Sequence, residues 1–175
     1  MALLFKEKMY RDPAHDLIAL DANSREDRVL MALIDTPEFQ RLRRVRQLGM
    51  AFVAFQGAEH SRFVHSIGVM WLVTRILERF ERAYAVDPLL VFPARCAALL
   101  HDVGHGPMSH VLERLFNKGH EEWTNAVIRS SDSEINHVLC GYDLALPSAV
   151  IAVLAGAPRP DAASRSTAPG RTRRA

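Results

Sequence analysis

With 175 residues, 49% of them apolar, the chain suffices for one sizeable domain with its own core. The net charge of +2 hides an uneven distribution: Gly156 to Ala175 holds five arginines against one acid, and the other 155 residues carry −2. The body therefore offers no general electrostatic case for nucleic acid, and two cysteines, Cys96 and Cys140, form neither a disulfide framework nor a metal clip.

Met1 to Phe5 is apolar, but Lys6, Glu7 and Lys8 end that run too early for a signal peptide, and no apolar stretch reaches the length of a membrane span. A soluble cytoplasmic protein is expected. Phe5 to Leu20 alternates weakly around the turn signal Asp12-Pro13 and predicts a small β-hairpin or irregular arm. From Arg25 the pattern turns helical, with Val29, Leu30, Leu33 and Ile34 on one stripe. Thr36-Pro37-Glu38 predicts a second helix start, Thr36 as N-cap and Pro37 at the first position. That helix would send Phe39, Leu42 and Val45 inward and end at Gly49, leaving RLRRVR as a solvated face.

Ala51 to Ala58 reads as a loop or short extended piece between Gly49 and Gly57. A long helix follows from Ser61 to Tyr84, with Trp71, Ile76 and Phe80 on its core stripe. Asp87-Pro88 and Pro93 bracket a turn before a buried central helix, Ala94 to Asp102. Further helices are expected over Pro107 to Phe116, His120 to Ser130, Ser133 to Leu139 and Ser148 to Leu154. His137 reads as a hydrogen-bonded core residue and His15 as a surface one. The Ala, Arg, Pro, Ser and Gly mixture from Gly156 lacks hydrophobic periodicity and predicts disorder.

The chemistry concentrates in the middle of the chain. His101 and Asp102 end the apolar central run, and Gly104 and His105 follow at once. Upstream, Arg62 and His65 stand one helical turn apart and can face the same point. His65, His101 and Asp102 thus make a nitrogen-and-oxygen site built from two helices. Without thiolates, such a set suits Mn, Fe, Ni, Mg or catalytic Zn better than structural zinc. Arg62 with His105, His110 and His120 around an ion offers what phosphate-ester hydrolysis requires: charge neutralisation, an activated water and a proton donor.

HSRFVHSIGV, ALLHDVGHGPMSHVLE and GHEEWT, in that order, resemble the HD-domain phosphohydrolase superfamily. DTPEFQRLRRVRQLG and DPAHDLIAL bring the chain nearest to the deoxynucleoside triphosphate triphosphohydrolases, over roughly Tyr10 to Leu154. The resemblance implies an all-α, irregular HD-domain bundle, with residues 1–24 as an arm, 25–155 as the HD domain and 156–175 as a tail. It implies that His65, His101 and Asp102 bind the divalent metal and that Arg62 contacts substrate phosphate. His105 and His110 would line the phosphate path, with His120 and Glu113 as general acid/base machinery; related enzymes commonly carry Asp at the position of Glu113. Gln47 and Leu48 match positions that contact the deoxynucleoside, and Asp35, Gln40 and Arg43 match positions that some members use for an activating nucleotide.

The expected reaction is metal-dependent cleavage of a dNTP to deoxynucleoside and triphosphate. Two departures stand out. The family's fourth ligand comes from a later segment resembling DxDxxDYLxRD, which this sequence lacks, and Asp16 stands where Gly is usual in the DPxHG turn. A truncated or frameshifted member is therefore expected, with weakened metal binding, low or absent turnover and self-association through uncovered apolar surface. The rival readings are a degenerate HD domain that binds nucleotide, nucleic acid or a protein partner without turnover, or an HD phosphatase or phosphodiesterase for another nucleotide.

Overall fold

The computed structural model describes residues 7–108, 110, 113 and 117–156. The Arg-rich stretch expected to be disordered lies, beyond Gly156, outside the described residues.

Two antiparallel strands, β1 (Glu7–Asp12) and β2 (Asp16–Asp21), open the chain, paired from Glu7 opposite Asp21 to Asp12 opposite Asp16. The turn is built by Asp12, whose carboxylate accepts hydrogen bonds from the backbone N–H groups of Ala14 and His15. Asp16 closes it at φ 58°, in the left-handed region. That conformation explains why Gly is usual there, and Asp is among the side chains that tolerate it. Ile18 and Leu20 point from β2 into the core.

Helix α1 (Arg25–Asp35) starts on the Ser24 hydroxyl, which accepts from the Asp27 N–H, and buries Leu30, Leu33 and Ile34. Thr36 and Pro37 take the expected N-cap and first helical positions, but the Thr36 side chain makes no capping bond. Its hydroxyl donates backwards to the Leu33 carbonyl at 2.7 Å and caps nothing ahead. The second helix is also shorter than expected: α2 covers only Pro37–Gln40, tightens into a 3₁₀ turn over Arg41–Arg44, and Val45 is extended. The physical reason is a backbone partner. Val45 accepts from the Arg62 N–H at 2.8 Å, and Gln47 N–H donates to the His60 carbonyl at 3.0 Å, so this stretch pairs with the entry to the next helix.

A 3₁₀ turn over Ala51–Val53 leads to the long helix α3 (Arg62–Ala83). Phe63, Ile67 and Met70 are buried, but the stripe expected to continue inward does not: Ile76 and Phe80 are 42% and 49% exposed. Helix α4 (Pro88–Leu100), capped by the Asp87 carboxylate, begins six residues before its predicted start and carries Pro93 inside it. Pro93 is fully packed one turn in, where its ring removes one helical hydrogen bond and the buried side chains around it hold the helix together. Helices α5 (His120–Arg129), α6 (Glu134–Tyr142) and α7 (Leu146–Leu154) complete the described bundle. Of the helix predicted over Pro107 to Phe116, Pro107 and Met108 lie in a turn and His110 and Glu113 are helical; the other positions from Ser109 on lie outside the described residues.

The core forms where α3 packs on α4, α4 on α7, and α1 on α6. His137 is exposed on α6 rather than part of that core, because its turn of the helix faces away from Ile135 and Leu139. The expected all-α architecture with an N-terminal hairpin is present. No single described helix is long and apolar enough to cross a membrane; α6 and α7 reach that length and composition only together, across a 112° bend.

Candidate metal centre

Helix α4 ends at Leu100, so His101 and Asp102 lie in the turn beyond it, where the N–H of Val103 reaches the Leu100 carbonyl and that of His105 the Asp102 carbonyl. His101 keeps helical backbone angles (φ −54°, ψ −34°), and its Nε2 and the Asp102 carboxylate nevertheless converge to 3.4 Å. The His101 Nδ1 lies 2.9 Å from the Ala98 carbonyl. That partner makes Nδ1 the protonated nitrogen and leaves the Nε2 lone pair free, an orientation typical of metal-binding histidines. His65, one turn into α3, brings its Nε2 to 3.3 Å from the Nε2 of His101. The Asp102 carboxylate lies 3.4 Å from His101 Nε2 and 3.8 Å from His65 Nε2.

These donors fit a divalent ion. Two nitrogens each about 2.1 Å from an ion, at a tetrahedral angle, stand about 3.4 Å apart, and the two histidines are already at 3.3 Å. The three ligand atoms all lie within 4.8 Å of one another.

The charge state matches. Burial opposes ionisation of Asp102, but the His105 hydrogen bond, His101 and the Arg62 guanidinium together hold its carboxyl well below the usual carboxylate range. Arg62 donates to Asp102 Oδ2 at 2.6 Å, both side chains almost wholly buried, and also reaches the Gln47 carbonyl at 3.3 Å. Burial depresses His65, against the pull of Asp102, so the imidazole favours its neutral, ligating form. His105 is likewise held down by burial.

A second group adjoins the first. His105 Nε2 lies 3.4 Å from Asp102 Oδ1, and its ring stacks on that of His120 with centroids 3.8 Å apart. Glu113 joins two histidines, its Oε1 2.7 Å from His120 Nδ1 and its Oε2 3.0 Å from His110 Nδ1. Burial works against the Glu113 charge, yet the hydrogen bonds from His110 and His120 bring its carboxyl down to about 2. His101 and His120 line one cavity of about 240 Å³ with Thr124, Asn125 and the end of α7.

Gln47 stands beside Arg62, its carbonyl engaged and its buried side-chain Oε1 without a hydrogen-bond partner. Leu48 is 52% exposed. Of the expected effector residues, Asp35 pairs with Lys8 at 2.7 Å, and Gln40 accepts from Arg43 at 2.7 Å.

Three features escaped the sequence reading. Arg41, assigned to a solvated face, donates to the carbonyl oxygens of both Val103 and His105 and so clamps the His-Asp turn from outside. Arg43 and Arg46, from the same run, lie over the rings of Phe63 and Phe52. Gly104 lets α5 approach, its N–H donating to the Thr124 hydroxyl at 2.9 Å. Only the Gly104 signal was visible in advance, as a glycine between the ligand pair and His105.

The family model for the HD domain matches residues 62–150. The chain is 41% identical over 153 residues to the uncharacterized protein YwfO of Bacillus subtilis, covering 87% of this chain and 34% of that one. It is 40% identical over 112 residues to the deoxynucleoside triphosphate triphosphohydrolase SAMHD1 of Xenopus laevis, covering 62% of this chain and 17% of the relative. Among solved structures, a hypothetical protein from Aquifex aeolicus superposes with a TM-score of 0.72 at 33% identity, covering 89% of this chain and 39% of the other. A phosphohydrolase from Bacteroides thetaiotaomicron gives 0.68 at 27% identity, covering 85% and 35%. The chain thus spans between about a sixth and two fifths of the length of these proteins.

Proposed function

The chain belongs to the HD-domain family, and on that premise we propose that it is a metal-dependent phosphohydrolase of the dNTP triphosphohydrolase type. One observation carries the reading: a single cavity is lined both by His101 of the metal cluster and by His120 of the second histidine group. A phosphate held there has a cation site at one edge and a proton donor at the other.

His65, His101 and Asp102 would hold the ion, which when bound supplies positive charge at a phosphate oxygen and acidifies a water. Arg62 keeps Asp102 ionised and in place, and adds positive charge behind it. Glu113 orients His120 through Nδ1, which leaves Nε2 to deliver a proton. In the proposed step, a water oxygen bonds to the α-phosphorus and gives its proton to solvent. The bond from phosphorus to the 5′ oxygen breaks, and that oxygen takes a proton from His120. Deoxynucleoside and triphosphate result. His105 and His110 flank this path, and Gln47 and Leu48 would meet the deoxynucleoside; the unpartnered Oε1 of Gln47 supports that role.

Asp35, paired with Lys8, and Gln40, paired with Arg43, are polar groups outside the two histidine clusters and support an effector-nucleotide site. The exposed Val53, Phe55, Leu72 and Phe80 support self-association, which sedimentation of the purified chain would read directly.

The decisive test incubates the purified, Mn-loaded chain with each dNTP and identifies products by ion chromatography. Three protein ligands hold an ion less firmly than four, so product identity is read rather than rate. Deoxynucleoside and tripolyphosphate, both lost with His101→Ala, are expected. Orthophosphate or pyrophosphate as the first product would overturn the triphosphohydrolase reading. Turnover of monophosphates or cyclic nucleotides would assign a different HD phosphatase or phosphodiesterase. Nucleotide binding with no product would assign a binding module.

A further inference from the structure

We propose that His105, His110, Glu113 and His120 form a second cation site, distinct from the His65, His101 and Asp102 cluster and selective for an ion of the zinc class. The four side chains offer three nitrogens and one carboxylate oxygen, all within 4.8 Å of one another. His105 points to a ligand independently. It is 1% exposed, its Nε2 is engaged toward Asp102, and its buried Nδ1 has no hydrogen-bond partner. That nitrogen lies 3.5 Å from Glu113 Oε1.

The remaining donors are gathered by Glu113, which already draws the Nδ1 atoms of His110 and His120 to its two oxygens. A cation would replace the protons in those two hydrogen bonds. Each imidazole then shifts its proton to the far nitrogen, so no net proton needs to leave. The two clusters differ in donor character: one carboxylate with two histidines, against one carboxylate with three. Nitrogen-rich sites prefer zinc, copper or nickel over magnesium or calcium, so the second group discriminates more strongly against magnesium.

Occupancy has a chemical consequence. An ion on His120 takes the Nδ1 that Glu113 orients, so the ring can no longer become the imidazolium that gives up a proton from Nε2. Zinc would therefore bind twice and slow turnover at the second equivalent, whereas magnesium would not. The binding itself is independent of the hydrolytic reading, and only the effect on turnover depends on it.

Equilibrium dialysis of the full chain against zinc, with metal quantified per folded protein, tests the site. Two equivalents are expected for the unchanged chain, one for His110→Ala and one for His101→Ala. The loss at His110→Ala should weaken the second equivalent by at least the ~10–100-fold that follows loss of a mere supporting residue. His110 is 65% exposed, so its replacement leaves the fold intact even where Glu113→Gln does not. Cobalt in place of zinc should show the visible absorption of two nitrogen-bound ions, one set vanishing with each variant. A single equivalent in the unchanged chain overturns the proposal. So does a second equivalent that survives His110→Ala. Two zinc ions bound by a chain that gives no dNTP product when loaded with manganese alone would sink the hydrolytic reading and leave the second site standing.

Discussion

Replacing Gly104 by alanine should separate the His-Asp turn from the helix that carries His120. A Cβ at this position would lie 2.7 Å from the Thr124 hydroxyl, and closer still to the Thr124 nitrogen and the His120 carbonyl oxygen. Ordinary contact begins at 3.4 Å, so the N-terminus of α5 must retreat by at least ~0.7 Å. Two of the three obstructing atoms are backbone, which cannot swing aside as a flexible side chain could. Overpacking of this kind costs typically about 1–3 kcal/mol, and the upper end is expected here. At ~2–4 °C per kcal/mol for a domain of this size, the melting temperature should fall by roughly 6–12 °C. The same retreat stretches the Gly104 to Thr124 hydrogen bond and the 3.8 Å stack of His105 on His120. Differential scanning calorimetry reads the first effect, and dNTP turnover or zinc stoichiometry the second. Gly141→Ala is the control: nothing lies within 4 Å of its added Cβ, and helix propensity favours the change by ~0.5–1 kcal/mol. A Gly104→Ala chain that melts within about 1 °C of the original and keeps its metal stoichiometry would refute the clash.

Three other outcomes are expected. Arg41→Ala removes a charged donor from the Val103 and His105 carbonyls and should cost about 1.5–3 kcal/mol in urea unfolding. Arg41→Lys should recover only part of that, since an ammonium lacks the fork that spans both carbonyls; full recovery would show that charge alone matters. Arg62→Ala leaves Asp102 buried without its cationic partner, a loss of roughly 3–5 kcal/mol. Bound manganese should offset part of that loss, and equal destabilisation with and without the ion would argue against Asp102 as a ligand. In the metal-free chain, His65 and His105 are depressed in the folded state, so the unfolded chain takes up protons first. Stability should fall as pH drops from about 6.5. A further loss follows below about 4.5, as Glu113, whose carboxyl sits at about 2, and then Asp102 are forced to protonate. A melting temperature unchanged between pH 7 and 5 would contradict the assignment of the two histidines.

What could be read without a structure was what local pattern encodes. The hairpin followed from Asp12-Pro13, the long helix from its apolar spacing, and the metal cluster from polar residues intruding on apolar runs. The errors have a common cause, which is that long-range partners override local preference. Val45 leaves its helix because Arg62 offers it a backbone hydrogen bond. Pro93 stays in a helix because buried neighbours compensate one lost bond. Ile76 and Phe80 carry the right spacing for a core face, but both remain half exposed in the folded chain. Arg41 was the costliest omission, because a guanidinium bonded to carbonyls 62 and 64 residues away leaves no trace in its own neighbourhood.

That clamp bears on where the functional unit begins. The region shared with the HD domain starts at Arg62 and includes every residue of both clusters. Yet Arg41 fastens the turn that carries His101 and Asp102, and Val45 receives the first N–H of α3. A fragment excised at the family boundary would keep both candidate clusters and lose the struts that aim them. Recombinant dissection of this protein should therefore cut ahead of Pro37 rather than ahead of Arg62, and chimeras with its relatives should exchange the two segments together.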